Sequence, residues 1–445
     1  MNKLSRFLLP VVICAAISNA ASAQDWPTWQ GPTRDGMVPS GNGSSKIGEA
    51  GLSLKWSAPV GLGYSGPVIA GKRVFVTDYQ LVSGKINNLA GKRDELQGKE
   101  RVICVDFETG QKLWEHAYDR PYSVSYPGGP RATPTVYNNR LYTLGSEGDL
   151  LCLSVEDGEL LWQVSFNDDF GAQTPFWGHA ASPLVYGDQL ICMVGGPGSL
   201  VVALDLETGE AKWKSLSSKD NETGYCPPSI VNAGGVDQLI VWDPTTISSL
   251  NPTTGTVYWD EDVAPGYGMS ILPPVSDGRL LFVSGESQTS ALFRLADDKP
   301  AAELLWRGKP ATSLYLATSA AIFDGNHIYG ADIRSGAVVC FETETGQRNW
   351  QSALPTTGSR RGRGGAHGSA FMLKFDDGYL ILSETGDLIS AELTPEGYQE
   401  TGRFHAIDTT NKSMGRDVLW TYPAVAHGRV FVRNDKELRC FELSK

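Results

Sequence analysis

The sequence predicts an all-β fold, an eight-bladed β-propeller of four-stranded antiparallel blades, and two observations support this fold class. The first is a series of tryptophans that recur at intervals of 44 to 51 residues, a period typical of propeller blades: Trp114, Trp162, Trp213, Trp259, Trp306 and Trp350. The second is the segment that precedes them, in which a Gly-containing turn joins two short apolar stretches. That pattern is typical of a β-hairpin.

The clearest copies of this hairpin share one order of strand, turn and strand. They are Val102 to Trp114 (VICVDFETGQKLW), Leu150 to Trp162, Val201 to Trp213 and Val338 to Trp350. The Thr-Gly or Asp-Gly pair supplies the positive φ of the turn, and acids such as Asp106 and Asp205 are expected to cap its backbone. A second hairpin lies upstream, as in Ser182 to Gly195, so one repeat contributes the four strands of one blade.

Eight upstream hairpins can be counted, and they begin at Pro67, Pro134, Pro183, Pro228, Pro273, Ala321, Ser369 and Pro423. The seventh repeat keeps the turn glycine Gly397 but has Thr401 where a tryptophan is expected. The eighth ends after three strands, and we expect the N-terminal segment Leu52 to Trp56 to supply the fourth and close the ring. The tryptophans are then structural wedges between neighbouring blades: Trp56, Trp114, Trp162, Trp213, Trp259, Trp306 and Trp350.

The N-terminal residues predict export. Residues 1–23 combine Lys3 and Arg6 with an apolar run and end in Ala-Ser-Ala, which is typical of a cleaved secretory signal peptide. The mature protein is then periplasmic or extracellular, and no later segment is apolar enough to span a bilayer. Residues 24–51 form an arm, anchored by Trp26 and Trp29, and a Gly/Ser-rich flexible linker; residues 52–445 form the propeller.

The charge and the cysteines narrow the possibilities. A formal net charge of -12 argues against a nucleic-acid partner. Four cysteines, Cys104, Cys152, Cys340 and Cys440, occupy one position in the third strand of four blades. Stacked sheets lie ~10 Å apart, beyond the ~7 Å that a disulfide can bridge, so these four are predicted to be buried thiols. Cys192 and Cys226 fall elsewhere in the repeat, and a disulfide between them remains open.

The candidate site lies in the connections between one blade and the next. Nineteen and twenty residues separate Trp114 from Pro134 and Trp162 from Pro183, far more than a hairpin needs. Such connections emerge on one face, and they carry the candidate ligand-binding residues Arg131, Trp177, His179, Tyr225, Tyr267, Arg361, Arg363, His367 and Tyr422. Arginines and aromatic rings suit a planar or anionic ligand or a peptide. The alternative is that the arginines pair with nearby acids and only order the loops.

The repeat, in segments such as DLETGEAKW, resembles the tryptophan-docking repeat of the pyrroloquinoline quinone-type (PQQ-like) propeller family over about residues 52 to 445. The family includes quinoprotein dehydrogenases and the propeller lipoprotein of the outer-membrane barrel-assembly machine. The resemblance therefore implies either a dehydrogenase that oxidises an alcohol or sugar with PQQ and calcium, with Trp177 as a stacking platform, or a non-catalytic propeller.

Several absences favour the non-catalytic function. No nucleotide-binding, zinc-protease or serine-hydrolase motif is present, and the six histidines never fall at the spacing of metal ligands. The adjacent cysteines typical of alcohol-oxidising relatives are also missing. We therefore predict an exported binding or scaffolding propeller with no cofactor and no metal, whose loop-rich face takes an unknown protein, peptide or small ligand; the PQQ-dependent dehydrogenase is the alternative.

Overall fold

The computed structural model describes residues 24–218, 223–360 and 365–444. These residues form eight four-stranded antiparallel blades arranged in a ring, and the fold class predicted from the sequence is confirmed. The predicted signal peptide, residues 1–23, lies outside the described residues. Within each blade the first strand is innermost and the fourth outermost, and the connection from each fourth strand leads to the first strand of the next blade.

The first four blades follow the chain in order. Their strands are β2 (Val68–Ala70), β3 (Arg73–Gly84), β4 (Asp94–Asp106) and β5 (Lys112–Asp119), with β6 (Tyr122–Val124) added beside β4; β7 (Thr135–Tyr137), β8 (Arg140–Leu144), β9 (Asp149–Ser154) and β10 (Leu160–Ser165); β11 (Leu184–Tyr186), β12 (Gln189–Gly196), β13 (Ser199–Asp205) and β14 (Ala211–Ser215); and β15 (Ser229–Ala233), β16 (Val236–Trp242), β17 (Thr246–Leu250) and β18 (Val257–Asp262).

The next three blades and the irregular segments follow along the chain. They are β19 (Val275–Ser276), β20 (Leu280–Gly285), β21 (Thr289–Leu295) and β22 (Ala302–Arg307); β23 (Ile322–Asp324), β24 (His327–Asp332), β25 (Ala337–Glu342) and β26 (Arg348–Ser352); β27 (Ala370–Phe375), β28 (Gly378–Ser383), β29 (Asp387–Thr394) and β30 (Gly397–His405); the hairpin β31 (Asn411–Ser413) and β32 (Arg416–Val418); and the short helices α1 (Phe166–Phe170), α2 (Leu354–Thr357) and a 3-10 turn (Gly266–Gly268).

The eighth blade joins the two ends of the propeller. It consists of β33 (Ala424–Ala426), β34 (Arg429–Arg433), β35 (Glu437–Glu442) and, as its outermost strand, β1 (Ser53–Pro59). Trp56 of β1 pairs with Cys440 of β35 in antiparallel register. The predicted closure by the N-terminal strand is confirmed, and it joins both ends of the propeller in one four-stranded sheet.

The tryptophan of one blade docks on the turn of the next. Trp114 lies against Gly158, where a Cβ would meet the ring at 2.5 Å, and its Nε1 donates to the carbonyl oxygen of Val155 at 3.1 Å. The same ring-on-glycine contact joins further pairs: Trp56 with Gly110, Trp162 with Gly209, Trp213 with Gly255 and Trp306 with Gly346. These glycines also have φ of 69° to 76°, as the predicted turns require. The tryptophans therefore hold the ring together, as the sequence suggested.

The turn acids cap the hairpins as predicted. Asp106 Oδ1 accepts hydrogen bonds from the backbone N–H groups of Glu108 and Thr109 at 3.0 and 2.8 Å. Asp205 repeats the arrangement in the third blade. Burial raises the pKa of Asp106, but these hydrogen bonds outweigh it and the net shift is downward.

The N-terminal arm fills the channel from one side. Trp26 pairs with Ile69 in the innermost strand of the first blade, and Arg34 donates to the carbonyl oxygens of Ser182 and Pro183 at the start of the third. Val38 then donates to Lys374 in the innermost strand of the seventh blade. Trp26 and Trp29 are 1% and 6% exposed, so both anchor the arm as predicted.

The Gly/Ser-rich stretch after the arm packs against the ring, which differs from the predicted flexible linker. Asn42, Ser45 and Ile47 are buried, and Ser44 donates its N–H to the carbonyl oxygen of Ser444 at 2.9 Å. Composition suggested a linker because Gly and Ser are common in flexible chains. Here the small residues allow the backbone to lie close to the seventh and eighth blades.

All six cysteines of the described chain are buried free thiols. Cys104, Cys152, Cys340 and Cys440 each lie directly opposite the docking tryptophan of their own blade, which confirms the predicted register. Cys192 packs between the second and third blades and Cys226 between the fourth and fifth. The structure therefore contains no disulfide between them.

Candidate functional site

A cavity of about 830 Å³ opens on the loop-rich face of the ring. Every connection between neighbouring blades contributes to its lining, from Tyr64, between β1 and β2, round to Trp420 and Tyr422, between β32 and β33. Trp29 of the arm lies at its floor, with its ring 5.5 Å from that of Tyr422. The cavity is within the roughly 300 to 1,000 Å³ of small-ligand pockets. We call it the central pocket.

Six of the nine candidate residues from the sequence line the central pocket: Arg131, Trp177, Tyr225, Tyr267, His367 and Tyr422. His179 does not, because it is 2% exposed and packs edge-on against Phe166 at 5.3 Å. Burial lowers the pKa of His179 to about 3, so the ring is neutral at ordinary pH. Arg361 and Arg363 lie outside the described residues.

Aromatic rings form most of the pocket wall. Trp177 meets Tyr225 edge-on at 5.6 Å and Phe176 at 5.0 Å. On another side, Tyr126 and Trp420 lie 6.0 Å apart. Contacts between rings on different connections fix the wall, which can therefore accept an apolar or planar group without much ordering.

Other lining residues were not singled out from the sequence. Tyr64 follows the closing strand β1 and occupies a blade connection, so the rule used for the other connections could have found it. Ile271 and Leu272 add an apolar patch, but nothing in their sequence separates them from core residues. Glu286 lies in a hairpin inside the fifth blade, where no pattern indicated a site.

Arg131 is the arginine of the central pocket. Its Nη2 donates to the carbonyl oxygen of Ser125 at 2.8 Å, its Nη1 lies 3.4 Å from Ser146 Oγ, and its guanidinium stacks over the Tyr64 ring at 5.2 Å. Burial lowers its pKa. It forms no direct ion pair with a carboxylate of the described residues, and carbonyl and hydroxyl oxygens together with the Tyr64 ring surround its charge.

Two other arginines of the blade connections pair with acidic side chains, which is the alternative that the sequence left open. Arg120 forms an ion pair with Asp149, and Arg416 binds Glu384 at 2.6 Å. Burial, together with the positive charge of the neighbouring Arg416, lowers the pKa of His367 to about 4. His367 therefore faces the central pocket as a neutral ring.

Glu286 is the acidic residue of the pocket lining. Its Oε2 atom is buried and has no hydrogen-bond partner among the described residues. An unpaired buried carboxylate oxygen costs roughly 1–3 kcal/mol or more, so a hydrogen-bond donor from water or a ligand would stabilise Glu286 here.

Four lining residues hold a left-handed backbone although none is glycine. Tyr126, Tyr267, His367 and Met414 have φ of 51°, 58°, 61° and 51°. Each such residue costs on the order of 1–3 kcal/mol, and strain of this kind is concentrated at functional sites. Tyr267 is also 79% exposed, so burial of its ring does not explain the conformation.

The lining does not suit the calcium that the family resemblance implied. Calcium binds about six to eight oxygen ligands, several of them carboxylates. Among the described lining residues, Glu286 alone carries a carboxylate. Across the described ranges, no three or more His, Cys, Asp or Glu side chains are grouped as metal ligands. We therefore assign no reaction step to PQQ. No helix in these ranges has the length and apolar character that a membrane crossing needs.

Comparison with known proteins relates the chain to two kinds of propeller. The family model described as outer membrane protein assembly factor BamB matches residues 98–352. The dehydrogenase subunit of the quinone alcohol dehydrogenase of Komagataeibacter europaeus is 26% identical over 171 residues, which is 36% of this chain and 23% of that protein. This chain thus matches less than a quarter of that relative's length.

Two solved structures share the fold. The crystal structure of BamB from Moraxella catarrhalis has a TM-score of 0.55 at 13% identity and covers 88% of this chain and 100% of its own. The quinohemoprotein alcohol dehydrogenase ADHIIG from Pseudomonas putida HK5 has a TM-score of 0.60 at 12% identity, and the match covers 94% of this chain and 80% of that protein. At such identities the comparison shows the propeller fold alone.

Proposed function

Because the chain belongs to the family of the outer membrane protein assembly factor BamB, whose model matches more than half of it, we propose that the protein is an exported, non-catalytic propeller that binds a polypeptide segment in its central pocket. The observation that carries the proposal is the aromatic pocket itself, lined from all eight blade connections and closed below by the arm. Export rests on the apolar run and small-residue end of residues 1–23.

The chemistry of the lining supports binding over catalysis. The titratable groups of the lining include the neutral His367 and the carboxylate of Glu286. These two side chains are not hydrogen-bonded to each other as a general acid and base would be. The cysteines are buried, and burial raises the pKa of Cys104 to about 12, which leaves that thiol unreactive. A rigid ring that presents aromatic side chains loses little conformational entropy when a peptide binds.

Equilibrium dialysis tests the proposal. The purified protein is dialysed against an equimolar mixture of synthetic hexapeptides of random sequence, some with free and some with blocked ends, and retained peptides are identified by mass spectrometry. We expect saturable retention of peptides rich in apolar and aromatic residues. Tyr267→Ala should reduce retention by about tenfold, because it removes an exposed ring at the mouth.

The matched control is Tyr137→Ala. Tyr137 is 40% exposed, ends β7 and does not line the central pocket, so its removal should leave retention unchanged. In parallel, the protein is titrated with PQQ and calcium, and dye reduction is followed with simple alcohols. Dye reduction together with no retained peptide would overturn the proposal in favour of a quinone-dependent dehydrogenase.

A further inference from the structure

Among the described residues, Arg131 and Glu286 are the charged side chains of the pocket lining, and neither forms an ion pair. Arg131 carries a partly buried positive charge that contacts carbonyl oxygens, the Ser146 hydroxyl and the Tyr64 ring, and no carboxylate of the described residues forms an ion pair with it. Glu286 carries a carboxylate oxygen that is buried and unpartnered among the described residues. Removing a charge from water without a partner is costly, so both positions favour a ligand that supplies the missing charge.

The two groups lie far apart round the ring and do not neutralise each other. Arg131 precedes β7 at the start of the second blade, whereas Glu286 lies between β20 and β21 of the fifth, three blades away. No ion pair joins them within the 4 Å limit of a salt bridge. A molecule that satisfies both must therefore carry a negative group and a positive group at separate ends.

The lining between the two charges is apolar and aromatic. Trp177 and Tyr225 lie near the arginine side, and Ile271, Leu272 and Ala317 lie on the connections that flank the fifth blade. A ligand that bridges the pocket therefore needs an apolar middle between its charged ends. Peptides with free termini and apolar side chains have this combination.

We propose that the central pocket binds a short peptide with free ends, whose carboxylate meets Arg131 and whose ammonium group meets Glu286. This inference rests on the proposed function, since it specifies the peptide that the pocket takes. The guanidinium offers charge-assisted hydrogen bonds to the peptide carboxylate, and the ammonium group pairs with the carboxylate of Glu286, which lines the pocket. The side chains between the two ends lie against the aromatic wall.

The test compares four forms of one probe, the tetrapeptide Ala-Phe-Leu-Ala: with free ends, N-acetylated, C-amidated and blocked at both ends. Binding is followed by the tryptophan fluorescence of the purified protein, because Trp177 and Trp420 line the pocket and the probe has no tryptophan. We expect the free-ended peptide to bind at least ~10-fold more tightly than either singly blocked form.

Two pocket variants assign each end of the peptide. In Glu286→Gln, N-acetylation should no longer weaken binding, while C-amidation still should. In Arg131→Gln the reverse is expected, and Arg131→Lys should restore part of the sensitivity to C-amidation because it keeps the charge. The control is Glu303→Gln, whose side chain is 71% exposed on β22, outside the lining; it should behave as the wild type.

The outcomes separate the two proposals. If the doubly blocked peptide binds as tightly as the free one, the pocket recognises peptides but not their ends, and the inference is overturned while the proposed function stands. If no form binds although hexapeptides of the random mixture are retained, the inference is likewise overturned and the proposed function stands; if the mixture is not retained and dye reduction occurs, both fail. If the arginine variants do not fold, the four peptide forms on the wild type and on Glu286→Gln still decide the question.

Discussion

At the scale of single residues, the turn glycines combine two roles. Gly158 has a φ of 76°, which a residue with a Cβ rarely adopts, and it also leaves room for the Trp114 ring of the preceding blade. The sequence indicated the first role, because Thr-Gly and Asp-Gly are typical of tight turns. The second role becomes visible only when the blades stand side by side.

Gly158→Ala should separate these roles when it is compared with Gly187→Ala. Gly187 has a φ of 59°, and no neighbouring atom lies within 4 Å of the place that a Cβ would take, so alanine there should cost only the backbone strain, about 1–2 kcal/mol. Gly158→Ala should cost a further ~1–3 kcal/mol, because the methyl group displaces the Trp114 ring. Urea denaturation measures both; equal losses of the free energy of unfolding would contradict the docking role.

At the scale of elements, the structure of the eighth blade explains why the outer strand of the seventh blade lacks the docking tryptophan. In the eighth blade the third and fourth strands, β35 and β1, come from opposite ends of the chain, so no turn joins them. A tryptophan at Thr401 would therefore have no turn glycine to dock on. The Gly/Ser-rich stretch takes that place, because Ile47 lies beside Gly402. Thr401 Oγ1 instead forms a hydrogen bond with Ser390 Oγ at 2.7 Å.

Ile47→Ala tests this substitute wedge. Ile47 is 6% exposed in the cluster that joins the last blades, so its truncation should lower the free energy of unfolding by about 2–5 kcal/mol. Leu54→Ala is the control, since Leu54 is 52% exposed on β1 and its loss should cost less than about 0.5 kcal/mol. Similar small losses in both variants would show that the Gly/Ser-rich stretch covers the ring without stabilising it.

At the scale of the whole molecule, the ring depends on packing between blades and not on covalent cross-links. Separate apolar clusters fill the space between successive blades, and the cysteines belong to them as small buried side chains. The arm completes this arrangement by crossing from the first blade to the seventh and closing the channel under the central pocket.

A reducing agent should therefore leave the stability of the protein unchanged. The six cysteines of residues 24–444 are free and buried, and Cys192 and Cys226 lie in different clusters. We expect the same Tm with and without dithiothreitol, and six thiols in this part of the chain that react with a maleimide only after denaturation. A drop in Tm of several degrees on reduction would reveal a disulfide.

The repeats account for how much the sequence could determine by itself. The period of the tryptophans predicted the blade count, the Thr-Gly turns predicted the hairpins, and the incomplete eighth repeat predicted the closure by the N-terminal strand. Each of these features depends on residue spacing that can be read directly from the sequence. Even the cysteine register followed, since equivalent positions in repeats occupy equivalent places in the ring.

The tertiary structure decided how the connections converge. It brings Arg131, Trp177 and Tyr267 into one cavity although they are far apart in the chain, and it removes His179 from that cavity into the core. It also adds Glu286, from a hairpin that carried no signal, and turns the Gly/Ser-rich stretch into a packed arm. Local patterns specify strands and turns. Which side chains meet depends on the closed ring, because it brings the connections of all eight blades together around one central axis.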